Sequence, residues 1–318
     1  MQGTTRTPQR AAPEPRTSVI DWLVDSDPSI RWQVMRDLMD EPGEAVAAER
    51  SRVASEGWGA RLLALQGSDG QWGGGAFVPA SWASTMETLM LLRALGLDPV
   101  SEQAQRAIGL VRDHSTWGPE FGDSPFFEGE VEPCINGRTL AAGAYFGEAS
   151  DRLLDRLLHE QLEDGGWNCE APPSRRSSFH STICVLEGLL EYENAKGPTA
   201  AVKNARLRGQ EYLLERRLFR SLATGEVIDP GWTQLSFPPH WHYDVLWGLD
   251  YLRRAGVAPD ERVSEAIDLV EKKRDADGRW PLENPHAGKA HFEMEEGDGK
   301  PSRWNTLRAL RVLDWYSA

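Results

Sequence analysis

Three cysteines, seven histidines and the carboxylates beside them are the groups in this 318-residue sequence best suited to chemistry. Cys134 follows Glu132 in "EPC", at the start of an apolar segment. Cys169 lies in the polar loop after "DGGW", and His180 opens the next apolar segment in "FHSTIC". "HWHYD" brings His240, His242 and Asp244 to a third such start. Zn2+ takes thiolate, imidazole and carboxylate ligands tetrahedrally, and a catalytic zinc keeps one position open. The expected metal set is Cys134 and His180 with one of Cys169, Glu132 or His242. If Cys134, Cys169, His180 and His242 all bound, the site would be closed and structural. His242 and Asp244 are the candidate acid/base pair. Each residue also has an ordinary reading: a free cysteine is commonly a small buried hydrophobe, and a lone histidine caps a helix. Cys184, inside an apolar run, is expected to pack in a core.

Something must bring these distant residues together. Three turns share a pattern, "QGSDGQW", "QLEDGGW" and "RDADGRW", each reading Asp-Gly-x-Trp after a leucine-rich periodic segment. Glycine just past a periodic run ends a helix in the left-handed conformation. Trp117 and Trp232 mark two weaker copies. After each turn comes an apolar helix: "SWASTMETLMLLRALGL", "CINGRTLAAGAYFG", "FHSTICVLEGLLEY", "HWHYDVLWGLDYLRRAG" and "RWNTLRALRVLDWY", with "SIRWQVMRDLM" as a sixth. The intervening helices, such as "SEQAQRAIGLVRDH", have one apolar and one charged face, as surface helices do. A recurrence of roughly 45 to 65 residues suits helix pairs. The expected fold is all-α: about six inner–outer helix pairs closed into a double α-barrel, with an open solenoid as the alternative. Inner-helix starts would then converge on one cavity mouth.

Trp82, Phe179, Trp241, Tyr243 and Trp304 fall at those starts, with Trp32 similar, and are expected to line an aromatic cavity suited to apolar or cationic species. Arg138, Asn136 and Arg303 are placed to meet an anionic group such as diphosphate. Arg175 and Arg176 read as a solvated loop, and "HFEMEEGDGKPSRW" as a surface loop or a lid.

The formal charge of −14 argues against nucleic acid as a partner. No run of about 18 apolar residues exists to span a membrane. Residues 1–18 are polar and proline-rich and read as a disordered tail, leaving 19–318 as one domain. Three widely spaced cysteines make no disulfide framework. A cytoplasmic protein with reduced thiols is expected.

The Gln-x-x-x-Gly-x-Trp turns between helix pairs resemble the QW-type repeats of squalene cyclases and protein prenyltransferase β subunits. That resemblance runs from about Ser26 to the C-terminus and implies an α/α toroid with a cavity at one end of the inner barrel. The chain has no Asp-x-Asp-Asp motif of the kind with which squalene-type cyclases protonate their substrate. It is also roughly half the length of a two-domain cyclase. Locally it is most similar to the prenyltransferase β subunits, which hold zinc with Asp-x-Cys at one inner-helix start and a His at the next. Here Glu132 and Cys134 stand at the first position, with Glu in place of Asp, and His180 at the second, followed by Leu186, Gly188 and Leu189 in register.

The resemblance and the donor set together imply a zinc-dependent enzyme acting on an apolar, isoprenoid-like molecule. A metal-free cyclase or isomerase using Asp244 or Glu132 is the alternative, as is a toroid that binds a hydrophobic ligand without chemistry. Sugar-active α/α-barrels share the aromatic-and-carboxylate mouth but not these turns. Oligomeric state has no signature in the sequence.

Overall fold

In a computed structural model, which describes residues 15–79, 81–240 and 242–318, the Asp-Gly-x-Trp turns recur as one hydrogen-bonded device. Gly70, Gly165 and Gly278 take φ of +78°, +98° and +78°, a region open to glycine at little steric cost. Each following tryptophan is fully buried, and its indole N–H donates back to the preceding outer helix. Trp72 reaches Leu62 O at 2.7 Å, Trp167 reaches Leu157 O at 2.7 Å and Trp280 reaches Val270 O at 2.6 Å. Their backbone N–H groups donate forward to a threonine on the next inner helix, Thr85, Thr182 and Thr306, at 3.1, 3.0 and 3.0 Å. Each turn therefore pins one outer helix to one inner helix and pairs both N–H groups of its buried tryptophan.

The glutamine adds a second tie. Gln66 Nε2 donates to Gly70 O and to Ala107 O on the next outer helix, at 3.0 and 2.9 Å. Gln161 repeats this with Gly165 O and Ala205 O, at 2.7 and 2.9 Å. In the third turn Arg274 lies over the Trp280 ring instead, 4.9 Å from its centroid. Trp117 and Trp232 do not reproduce the device. The Trp117 indole donates forward to Phe126 O, and Trp232 lies within a short 3-10 turn among other aromatic rings.

Outer and inner helices alternate along the chain. The outer set is α1 (Pro15–Val24), α3 (Gly43–Ser51) with α4 (Gly57–Ala64), α6 (Glu102–His114), α8 (Asp151–His159), α10 (Ala200–Glu215) and α12 (Ser264–Lys272). The inner set is α2 (Pro28–Asp37), α5 (Thr85–Leu95), α7 (Pro133–Phe146), α9 (Phe179–Lys196), α11 (Val245–Arg254) and α13 (Arg303–Ser317). Among the described residues the strand content is one two-residue antiparallel pair, Trp280–Pro281 with Pro301–Ser302.

The inner helices form a closed ring. Helix α5 packs on α7, α7 on α9, α9 on α11, α11 on α13, and α13 returns to α2. The last gap, α2 to α5, is bridged by Trp32 Nε1 donating to Leu95 O at 3.0 Å and Gln33 Nε2 to Ala94 O at 3.1 Å. The architecture is an all-α, α/α toroid, as the alternation of apolar and amphipathic helices implies; the open solenoid is ruled out by the α13–α2 contact. The closest crossing is α7 on α9, where Gly137 and Gly188 meet backbone to backbone.

Two boundaries differ from the sequence reading. Helix α1 begins at Pro15, inside the segment expected as a tail, while residues 1–14 lie outside the described residues. Helix α11 begins only at Val245, so His240 and His242 belong to the loop before it rather than to its start. Phe237, Pro238 and Pro239 fall in the bend ahead of the helix, where prolines cannot supply helical N–H donors, and Asp244 caps it. Among the described residues no helix is long and apolar enough to cross a membrane.

Candidate functional site

The inner ring encloses a chamber of about 600 Å³. Its wall is part apolar and aromatic, from Met90, Leu190, Phe237, Trp247 and Trp304, and part densely charged. This departs from the expected aromatic cavity. Polar residues on the inner helices account for the difference, because they face one another across the ring instead of solvent.

Two buried ion clusters cross the chamber. Glu187 and Glu191 of α9 are shared by Arg93 of α5 and Arg254 of α11, with contacts of 2.7 to 2.9 Å. Burial opposes ionisation of Glu187, yet Arg93 and Arg254 outweigh it and hold its pKa at about 2. Nearer the helix starts, Arg138 of α7 grips Glu87 of α5 with both terminal nitrogens, at 2.7 and 2.9 Å. The second Glu87 oxygen also meets His240 Nδ1 at 2.7 Å. Burial again opposes the charge on Glu87, and Arg138 and His240 bring its pKa down to about 2.

His240 is held on three sides. Glu87 fixes Nδ1, the Trp82 ring stacks on the imidazole at 4.0 Å with 15° between planes, and the backbone adopts φ of +51°. Positive φ at a non-glycine residue is strained and persists where surroundings enforce it. His240 lines the chamber on one side. On the other it lines a smaller cleft of about 160 Å³ beneath the 285–295 loop. That loop covers the helix-start end of the barrel. Trp82 N–H donates to Lys289 O at 2.9 Å, and His291 Nε2 meets Thr88 Oγ1 at 2.8 Å. Loop 285–295 carries His286, which stacks on His242 at 4.2 Å.

The expected metal ligands converge in part. Donor atoms of Glu132, Cys134 and Cys169 all lie within 4.8 Å of one another. Cys169 Sγ stands 2.7 Å from Cys134 Sγ and 3.2 Å from Ser181 Oγ, and Cys134 Sγ is 3.7 Å from Glu132 Oε2. The thiols titrate as a pair. Hydrogen bonding from Cys134 and Ser181 lowers the Cys169 pKa, whereas the same bond and burial raise that of Cys134. His180 does not join this group; its ring packs edge-on to Trp232 at 5.7 Å and to His242 at 6.3 Å. Neither cysteine is part of the chamber wall.

The other expected site residues divide by position. Arg138 and Trp304 line the chamber, and Trp82 lines the smaller cleft. Asn136 is buried behind the helix start, accepting from Glu130 N–H and donating to Glu130 O at 2.8 and 3.1 Å, so its amide shapes the loop. Phe179 and Tyr243 pack together with Trp232 and Tyr212, outside the chamber. Arg303 lies over the Trp22 ring at 4.6 Å. Trp241 lies outside the described residues. Asp244 is fully buried as the cap of α11, accepting from Trp247 N–H at 2.8 Å and from Ser236; burial raises its pKa, opposed by Arg308 and these bonds. It holds a helix and does not face the chamber, and His242 is exposed beside His286. The ionisable groups on the chamber wall near the helix starts are Glu87, Arg138 and His240. A signal for the first two existed, since Glu87 and Arg138 stand inside otherwise apolar inner helices.

No protein-family model and no curated protein matches the chain. Among solved structures it is similar to the type II terpene cyclase MstE from Scytonema without ligand, at 18% identity over 94% of this chain and 96% of that one, TM-score 0.46. A variant of MstE in complex with its substrate, geranylgeranyl dihydroxybenzoate, is similar at 16% identity over 95% and 96% of the two chains, TM-score 0.47. Another variant, in complex with the product merosterolic acid A, is similar at 16% identity over 94% and 95%, TM-score 0.46.

Proposed function

We propose that this protein is an acid–base enzyme of the cyclase or isomerase type, acting on a small isoprenoid-like molecule held inside the barrel. The observation that carries the reading is the 2.7 Å contact of His240 Nδ1 with Glu87 on the chamber wall. A carboxylate on Nδ1 fixes the imidazole's orientation and leaves Nε2 as the nitrogen that gives or takes a proton. Arg138 keeps Glu87 ionised, and Glu87 orients His240. Trp82 stacking further restricts the ring. The apolar and aromatic wall around Trp247 and Trp304 suits the hydrocarbon part of such a ligand. An imidazolium is too weak an acid for an isolated alkene, so the reacting centre carries an oxygen or a conjugated group.

The test is solvent-deuterium incorporation. The protein is incubated in D2O with isoprenoid alcohols, aldehydes and acids, and products are read by mass spectrometry. Deuterium should enter one class of compound, the His240→Asn variant should lose that activity, and chelation should leave it intact. Absence of incorporation from every class, or full activity in His240→Asn, would overturn the reading.

A second reading is supported by the convergence of Glu132, Cys134 and Cys169. Two thiols and a carboxylate suit Zn2+ chemically. The 2.7 Å sulfur separation would have to widen, because two tetrahedral ligands at 2.3 Å bonds stand about 3.8 Å apart. When bound there, zinc would supply Lewis acidity and hold both sulfurs as thiolates. Elemental analysis of the purified protein tests it: stoichiometric zinc lost in Cys134→Ser and Cys169→Ser supports the site, and metal-free protein refutes it.

A further inference from the structure

At the end of the barrel away from His240, positive charge exceeds negative. The chamber wall holds eight arginines and four carboxylates in a protein whose formal charge is −14. Nearer the helix starts Arg138 is matched with Glu87. At the C-terminal ends of the inner helices Arg93 and Arg254 are matched by Glu187 and Glu191, but the arginines beside them are not all matched. Arg36 and Arg311 share the single carboxylate of Asp37. Arg50 has no carboxylate partner among the described residues; it donates to Gly96 O at 2.9 Å and to Tyr145 Oη at 3.0 Å. Arg253 is paired with Asp250, 2.9 Å away.

These four guanidinium groups share one neighbourhood. Arg36 and Arg50 both lie over the Trp32 ring, at 4.6 and 5.2 Å from its centroid. Arg311 is 6% exposed, and its Nε has no hydrogen-bond partner among the described residues. Burial is the main influence lowering the Arg311 pKa, to about 10, and the charges of Arg253 and Arg36 add to it. Crowded cations in a partly buried site are costly unless an anion joins them. The site is reachable, since the Arg36 side chain is 49% exposed and Asn194 on the same rim is exposed.

We propose that this end of the chamber is a binding site for a phosphate-class anion, such as the phosphate or diphosphate head of an amphipathic ligand. Donors from α2, α3, α11 and α13 approach from separate directions, which fits a tetrahedral group with several oxygens better than a planar carboxylate gripped by one fork. The surplus of about two positive charges matches a dianion, and the low-dielectric walls focus that field despite the acidic exterior. A ligand anchored by its head would extend its tail along the apolar part of the chamber wall, at Met90, Leu190 and Trp247, toward the acid–base pair. This last point rests on the acid–base reading, whereas the anion site itself does not.

Calorimetric titration of the intact protein with inorganic diphosphate, inorganic phosphate and succinate tests the site without any turnover. Diphosphate should bind once per chain, phosphate more weakly and succinate least, with affinity falling as salt is raised. Arg36→Gln and Arg50→Gln should each weaken diphosphate by about tenfold, while Arg106→Gln on the exposed face of α6 should leave it unchanged. Arg36 is half exposed, so its variant keeps the test valid if Arg50→Gln fails to fold. No saturable diphosphate binding at millimolar concentration, equal affinity for succinate, or indifference to both substitutions would overturn the proposal. Such a failure would leave the His240-dependent deuterium test standing, and failure of that test would leave this one.

Discussion

A Cβ atom placed on Gly188 would stand 2.4 Å from the carbonyl oxygen of Gly137, and one on Gly137 would stand 2.6 Å from Cys184 O. Helices α7 and α9 therefore cross with no side chain between them, and the obstruction on each side is backbone, which cannot rotate away. Gly188→Ala should cost at least about 2 kcal/mol of stability, because the two helices must separate along their whole contact. Alanine ordinarily stabilises a helix interior by about 1 kcal/mol relative to glycine, so the sign of the change separates packing from propensity. Chemical denaturation would read it, and an unchanged or raised midpoint would contradict the close crossing.

Glu87 and Arg138 are both almost wholly buried, with side chains 1% and 4% exposed. Removing one charge strands the other. Glu87→Gln should destabilise the fold by about 3–5 kcal/mol, since it leaves the Arg138 guanidinium uncompensated in a low-dielectric wall. Replacing both, as Glu87→Gln with Arg138→Met, should recover a large part of that loss. A double-mutant cycle by urea denaturation measures the coupling. Strict additivity of the two single losses would show that the pair is not formed in solution.

The repeat device was legible because its parts are local. Asp-Gly-x-Trp specifies the turn, and the dipeptides Ser84-Thr85, Ser181-Thr182 and Asn305-Thr306 put a threonine hydroxyl under each tryptophan amide. The inner helices were legible as apolar runs, and the alternation of helix types implied two layers. The sequence pointed to Cys134 with His180 and offered Cys169 as one of three further ligands, whereas Cys169 is the residue that stands beside Cys134. The chamber's polarity was not legible. Glu87, Arg138, Glu187 and Arg254 have partners 51 to 94 residues away in sequence, which no local pattern joins. His240 was hidden for a different reason. Its strained backbone and its stacking on Trp82 come from the loop before α11, whereas the apolar run suggested that the helix began earlier. Asp244 looked available for chemistry because the hydrogen bonds that occupy it come from its own loop and helix.

Acid should loosen the helix-start end before the rest. Burial, reinforced by the nearby charges of His242 and His240, lowers the pKa of His286 from 6.5 to about 3. Between those values the unfolded chain binds a proton that the folded chain refuses, so stability rises with pH across this window. The histidine contribution is fully present above pH 6.5 and is lost progressively as the pH falls toward 3. Glu87 and Glu187, depressed from 4.5 to about 2, add a second loss that begins only below pH 4.5. Unfolding midpoints measured from pH 7 to 5 should therefore fall in the native protein and fall less in His286→Asn. Parallel curves for the two proteins would contradict the assignment to His286.

Cys169 owes its lowered pKa first to its hydrogen-bonded contact with the Cys134 thiol, 2.7 Å away, and then to Ser181 Oγ, with burial acting against both. The thiolate is the nucleophile in alkylation, so its fraction at neutral pH sets the rate. In metal-free protein Cys169 should be the first cysteine modified by iodoacetamide. Cys134 should resist, because its contact with Cys169 and burial both raise its pKa. Cys134→Ala removes that contact and should move the Cys169 pH–rate midpoint upward, slowing its alkylation at pH 7 several-fold. Ser181→Ala should act in the same direction by a smaller amount. Cys184, fully buried within α9, should remain unmodified in all three proteins until they unfold. Peptide-level mass spectrometry distinguishes the sites, and a Cys169 rate indifferent to Cys134 would show that the two sulfurs do not pair in solution.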